Sequence, residues 1–290
     1  MRRAPDQLRL DAVRLATGPK LRYAEQGDPE GEAIIFLHAY ADSWYSYSRV
    51  LSLLSHEYHA FAPDQRGHGD SDKPECCYTA GGFAADVEAF MDAAGVEAAT
   101  LVGDSSSGMI VREAALTYPQ RVERLVLIGA PVTLLGNRAV LEFLEAVRAL
   151  EDPVPPEFVR QFGESIIHHP VPEEFFEAAV SESLKVPARV WREYWEGVAL
   201  TVDHTSRLRE IGAPALILWG ERDHLLPREE QELMAAEIPR ATLKVYPDTG
   251  HLPHRERPEW FARDLGWFIR ETPPAPQSER QPGQTKGNQR

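Results

Sequence analysis

The sequence predicts an α/β fold: a mostly parallel sheet wound with helices on both faces and interrupted once by a helical insertion. Three observations predict it. Short apolar runs such as Ala33–Leu37 and residues 125–128 have the pattern of strands buried on both faces. Segments with helical spacing of apolar residues fall between these runs, and that alternation belongs to a doubly wound sheet. From about residue 132 to 209 the alternation stops, and only amphipathic helical patterns broken by proline remain. A chain of 290 residues, 43% of them hydrophobic, is long enough for one large core with such an insertion.

Taken in order, residues 8–16 alternate apolar and polar side chains, and Thr17-Gly18-Pro19 breaks the run. Residues 20–25 resume it until Gly27-Asp28-Pro29, which predicts an antiparallel strand pair at a sheet edge. Ala33–Leu37 is the first buried strand. Asp42 or Ser43 is suited to cap a helix carrying Tyr47, Val50, Leu51 and Leu54. Residues 60–62 form the next strand, and Phe83, Val87, Phe90, Met91 and Ala94 line one face of a helix. Residues 98–102 form a strand that runs into a small-residue stretch, 103–108, and then into a helix over 109–116. Residues 125–128 are again strand. The insertion reads as helices over 138–150, 156–168, 173–186 and 188–199. The sheet resumes at 215–219, Pro227 opens a helix at its first position, and 242–246 is a last, more alternating strand. Phe261, Leu265 and Phe268 mark the closing helix. After Glu271 the chain is rich in Pro, Gln and Ser without periodicity, a pattern of disorder. The predicted division is a core over 1–131 and 210–272, an insertion over 132–209, and a disordered tail over 273–290.

The net charge is −14. An acidic surface repels nucleic acid and anionic membrane, so neither is an expected partner. No apolar run approaches membrane-spanning length. The two cysteines, Cys76 and Cys77, are chain neighbours. Adjacent cysteines rarely bridge, so both are expected as thiols, which with the absence of an apolar leader behind Met1 suggests a cytoplasmic protein.

The chemistry centres on Gly103-Asp104-Ser105-Ser106-Ser107-Gly108. A strand that turns sharply into a helix holds the turn residue exposed, and its neighbours must be small because the two backbones nearly touch. Ser105 has that place, with Gly103 before it and Ser107 where the G-x-S-x-G pattern has its second glycine. A serine hydroxyl needs a base, and the base needs a third group to fix its tautomer. His251 lies in a Gly- and Pro-rich loop just after the last strand, where functional residues of open α/β sheets gather; His254 is its competitor. His224 neighbours an acid but precedes a helix. Asp223 follows the strand at 215–219, whereas the stretch after Ile128, Gly129-Ala130-Pro131-Val132-Thr133, holds no carboxylate. The order Ser105, Asp223, His251 is one chain order of the serine triad. His168-His169 lacks companion ligands, and no Gly-rich phosphate loop appears, so no metal and no cofactor is expected.

With these residues the chain resembles the α/β-hydrolase-fold serine hydrolases that carry a helical cap. The resemblance runs from about residue 8 to 269. It is carried by His38-Ala39-Tyr40, by Asp64-Gln65-Arg66-Gly67-His68-Gly69-Asp70-Ser71, by the turn at Ser105, by Trp219-Gly220-Glu221-Arg222-Asp223 and by Gly250-His251. It implies a mostly parallel eight-stranded sheet and an oxyanion hole made by the backbone N–H groups of Tyr40 and Ser106, with Ala39 standing where the family has glycine. It implies that Arg66 and Asp70 order their loop, with a substrate contact by His68 as the alternative, and that Asp104 is structural, with an influence on His251 as the alternative. His38 joins Trp191 and Trp195 of the insertion as candidate substrate contacts; Phe162, Phe175 and Phe176 are further large aromatics there. The activity implied is hydrolysis of a small, largely apolar carboxylic ester or lactone through an acyl-serine, by a monomer or homodimer. Carbon–carbon bond hydrolysis or perhydrolysis is the alternative within the fold, and a non-catalytic ligand binder the alternative outside catalysis.

Overall fold

The computed structural model describes residues 8–274; the predicted tail lies almost wholly, and the N-terminal Met1-Arg2-Arg3 wholly, outside them. Eight strands form one sheet in the order β1-β2-β4-β3-β5-β6-β7-β8. β1 (Arg9–Arg14) and β2 (Lys20–Gly27) are the antiparallel edge pair, and β2 also runs antiparallel to β4 (His59–Pro63). β3 (Ala33–Leu37), β5 (Ala99–Asp104), β6 (Val122–Ile128), β7 (Ala215–Gly220) and β8 (Ala241–Tyr246) are parallel to their neighbours.

Side-chain alternation along the central strands explains their unbroken apolar sequences. Ile35, Leu37, Leu101, Leu125, Leu127 and Ile217 enter one core layer, with α2 (Ala80–Ala94) and α3 (Ser107–Thr117). Ile34, Phe36, Val102, Val126, Ile128 and Leu218 enter the other, with the short α1 (Ser48–Leu51) and, at the far end of the chain, the closing helix. Both faces are dry, so neither needs polar residues. Helix ends follow their capping residues: Thr79 Oγ accepts from the N–H of Gly82 at the start of α2, and Gly95, in the left-handed conformation, ends it.

Between β6 and β7 the chain is helical. It forms α4 (Arg138–Arg148), α5 (Pro156–Ser165), α6 (Glu173–Ser183) and α7 (Ala188–Tyr194), each ending a few residues before the predicted limit. The neck of this insert is closed by a single antiparallel bridge between Thr133 and Asp203. The predicted helix over 188–199 is not uniform: after α7 the backbone passes into a π turn, Trp195–Ala199, in which the N–H of Leu200 reaches back to the carbonyl of Trp195. After β7 come α8 (Arg228–Glu237), α9 (Pro253–Glu256) and α10 (Pro258–Glu271); Pro227 is the residue before α8 rather than its first. No helix among the described residues is long and apolar enough to cross a membrane.

The cysteines correct the sequence reading. Cys76 and Cys77 are joined to each other, across a Cα separation of 3.8 Å. Cys77 has a φ of 75°, in the left-handed region.

Candidate active site

β5 delivers the chain to Ser105, which has a φ of 50° and is the apex of the turn into α3. The close approach explains the neighbours. A Cβ on Gly103 would lie 2.6 Å from the carbonyl oxygen of Ser107, and one on Gly108 would lie 2.3 Å from the Cβ of Ala130. Ser107 does more than fit: its hydroxyl donates to the carbonyl of His38 and accepts from Gln65 Nε2 at 3.0 Å, tying the elbow to the neighbouring loop.

The loops after β7 and β8 bring two further groups to Ser105. The Ser105 hydroxyl lies 3.0 Å from His251 Nε2, and His251 Nδ1 lies 2.8 Å from Asp223 Oδ2. Asp223 Oδ1 accepts from the N–H groups of Leu225 and Leu226, which fixes the carboxylate. Burial disfavours charge on both partners, yet each outweighs it for the other: Asp223 is held below the ordinary carboxylate value and His251 is raised above the ordinary imidazole value. Among the described residues, His254 makes no hydrogen bond to Ser105. Its ring stacks on Tyr47, its Nε2 lies 3.0 Å from Ser46 Oγ, and burial lowers its pKa to about 3.

Ser105 and His251 open onto a cavity of about 340 Å³ whose walls include Phe143, Val159, Phe162 and Trp195 of the insert. Tyr40 and Ser106 also line it. Among the described residues, no protein acceptor takes up the backbone N–H of either. His224 contributes to the wall as well.

Two predicted contacts are corrected. His38 is fully buried, its Nδ1 bonded to the carbonyl of Ala39 and its Nε2 accepting from the N–H of Gln65, so it braces the loop and is absent from the cavity wall. Trp191 is likewise fully buried; its indole N–H donates to the carbonyl of Val186 and its ring packs on Tyr40 and Phe158. Nor is it part of the cavity wall. In the loop over 64–71, Arg66 pairs with Asp86, while the side chain of Asp70 reaches Lys185 of the insert instead of its own loop. Asp64 orders that loop, accepting from the N–H groups of Trp44 and Asp70. His68 is buried, with Nδ1 on the carbonyl of Arg66.

A sequence model described as the alpha/beta hydrolase fold matches residues 32–258. The chain belongs to the α/β hydrolase fold family. Among curated relatives, Lipase 3 of Moraxella sp. is 26% identical over 289 residues, 92% of this chain and 86% of the relative. The 2-hydroxy-6-oxo-6-phenylhexa-2,4-dienoate hydrolase of Burkholderia cepacia is 28% identical over 258 residues, 81% of this chain and 86% of the relative. Among solved structures, the esterase RhEst1 from Rhodococcus sp. superposes with a TM-score of 0.80 at 26% identity, covering 90% of this chain and 98% of that one.

The site of this α/β hydrolase contains three residues that sequence reasoning passed over. Glu256 accepts from the N–H groups of Gly250 and His169, holding the His251 loop against the insert. Arg255 pairs with Asp42 and donates from Nε to Ser46 Oγ at 3.1 Å, tying the Tyr40 loop to the His251 segment; both members of the pair line the cavity. Tyr194 donates its hydroxyl to Ser106 Oγ at 2.9 Å. Glu256 acts within the His251 segment as well as across to the insert. The other two act only through contacts between segments far apart in the chain.

Proposed function

We propose that this α/β hydrolase cleaves a carboxylic ester or lactone of a small, largely apolar substrate through an acyl-Ser105 intermediate. The observation that carries the reading is the unbroken line from Asp223 through His251 to Ser105, at 2.8 and 3.0 Å, ending at an apolar cavity. His251, neutral at Nε2, takes the proton of Ser105 as its oxygen attacks the ester carbonyl. Asp223 holds the proton on Nδ1 and stabilises the imidazolium that forms. The N–H groups of Tyr40 and Ser106 receive the developing oxyanion, an interaction in which one lost donor typically costs about 10²–10³ in rate. His251 then protonates the leaving alcohol and activates the water that releases the acid.

The insert acts in this reading as a cap over residues 132–209. Its aromatic walls exclude water, which favours apolar substrates and strengthens the oxyanion contacts. Carbon–carbon bond hydrolysis is the second reading, favoured by the similarity to the dienoate hydrolase. The discriminating experiment is a panel of p-nitrophenyl esters, lactones and vinylogous diketones assayed with the wild type and Ser105→Ala. Ester or lactone turnover lost in the variant supports the first reading. Turnover of the diketones alone supports the second. Binding of the panel without turnover means a ligand-binding protein and overturns both.

A further inference from the structure

The proposed oxyanion hole has two donors, on Tyr40 after β3 and on Ser106 after β5. One side chain of the insert touches both residues. Tyr194, at the end of α7, donates its hydroxyl to Ser106 Oγ at 2.9 Å, and its ring centroid lies 5.3 Å from that of Tyr40. The ring is held on its other sides by Phe83 at 5.2 Å and His68 at 5.7 Å, and the residue is only 1% exposed. Burial pushes the phenol up to about 12, so the hydroxyl remains a donor throughout the neutral range. The π turn begins directly after it, and Tyr194 and Trp195 both line the cavity. π turns recur where a helix is adapted to a site.

Ser106 follows a residue in the left-handed conformation, so the direction of its N–H depends on how the Ser105–Ser106 peptide is held. Its own side chain is one handle on that peptide, and Tyr194 is the group that grips it. The Tyr40 ring is packed among insert aromatics, with its hydroxyl donating to the carbonyl of Trp191 and its ring tilted at 46° to that of Tyr194, beside Trp191 and Trp195. We propose that Tyr194 is a positioning residue for the oxyanion hole, aligning both N–H donors from the insert through Ser106 Oγ and the Tyr40 ring. The cap and the elbow then form one catalytic unit, and an insert that shifts takes the hole out of alignment. This inference rests on the ester-hydrolase reading.

A cycle of Tyr194→Phe, Ser106→Ala and the double variant tests it. Each is assayed for kcat and KM on a p-nitrophenyl ester and for the inhibition constant of phenylboronic acid, which forms a tetrahedral adduct on an active serine. Thermal unfolding is followed in parallel. Tyr194→Phe keeps the ring and loses one hydrogen bond, so kcat should fall about tenfold with KM within about twofold. The boronate inhibition constant should rise by the same factor. Ser106→Ala keeps the N–H and should reproduce the loss, and the double variant should be no worse than either single one. Losses that multiply in the double variant would mean that Tyr194 does not act through Ser106. Unchanged kcat and boronate affinity, or a rise in KM alone, would leave Tyr194 a packing residue. Each of these outcomes overturns the proposal. A wild type that does not turn over the ester, or a Ser105→Ala variant that does, shows instead that the hydrolase reading has failed, and the proposal falls with it.

Discussion

Replacing Asp104 by Asn should stabilise the protein at high pH and slow the base. Asp104 precedes the nucleophile and is fully buried; among the described residues neither carboxylate oxygen has a hydrogen-bond partner. His254 Nε2 stands 3.6 Å from Asp104 Oδ2, too far for a bond. Burial raises the carboxyl from an ordinary value of 3.8 to about 7. The folded protein therefore binds this proton more tightly than the unfolded chain does. Stability is unaffected below pH 3.8 and is lost as pH rises from there toward 7. At about 1.4 kcal/mol for each pH unit, the ionised form costs about 4 kcal/mol. Asn has the same shape and does not titrate, so urea unfolding of both proteins should show their stability difference growing by about that amount between pH 4 and pH 8. Any cost of burying the Asn amide is the same at both pH values and drops out. The charge of Asp104 also helps to raise His251, so in Asp104→Asn the acid limb of kcat/KM should move to lower pH. A stability difference independent of pH, with an unmoved acid limb, would refute the reasoning.

Further outcomes follow from the same geometry. His251→Ala should lose roughly 10³-fold or more in kcat, whereas His254→Ala, which breaks a contact with Ser46 and a stack on Tyr47, should lose far less and lower the unfolding temperature; steady-state kinetics beside a thermal melt would expose the reverse order. Trp195 lines the cavity, so Trp195→Ala should change kcat/KM unequally between aryl and short-chain esters. Trp191→Ala should instead cost about 3–5 kcal/mol of stability and leave the ranking of substrates unchanged, which the same ester series and a denaturant titration would check.

The fold was legible because both layers of the core write themselves into the strands. Ile34 and Phe36 serve one layer and Ile35 and Leu37 the other, so the run has no polar gap. The three central residues of the site were legible for a related reason. Ser105 and Asp223 each follow a buried strand and His251 follows the half-buried edge strand β8, and parallel strands deliver their ends to one edge of the sheet. What the sequence did not reveal depends on contacts made across the fold. His38 and Trp191 are residue types suited to a pocket, yet each spends its polar atoms on nearby backbone and is buried away from the cavity. Tyr194 sits three positions from Trp191 and looks like any other aromatic residue of an amphipathic helix until the turn at Ser106 is brought beneath it. The joined cysteines occur together with a left-handed Cys77, and no local pattern announces either.

The most direct test of the central claim is covalent. The wild type treated with a fluorophosphonate, digested and read by mass spectrometry should carry one phosphonyl group, on the peptide containing Ser105. Labelling should be abolished in Ser105→Ala and strongly slowed in His251→Ala. A wild type that remains unlabelled while folded, or an adduct of equal yield in Ser105→Ala, would contradict the account.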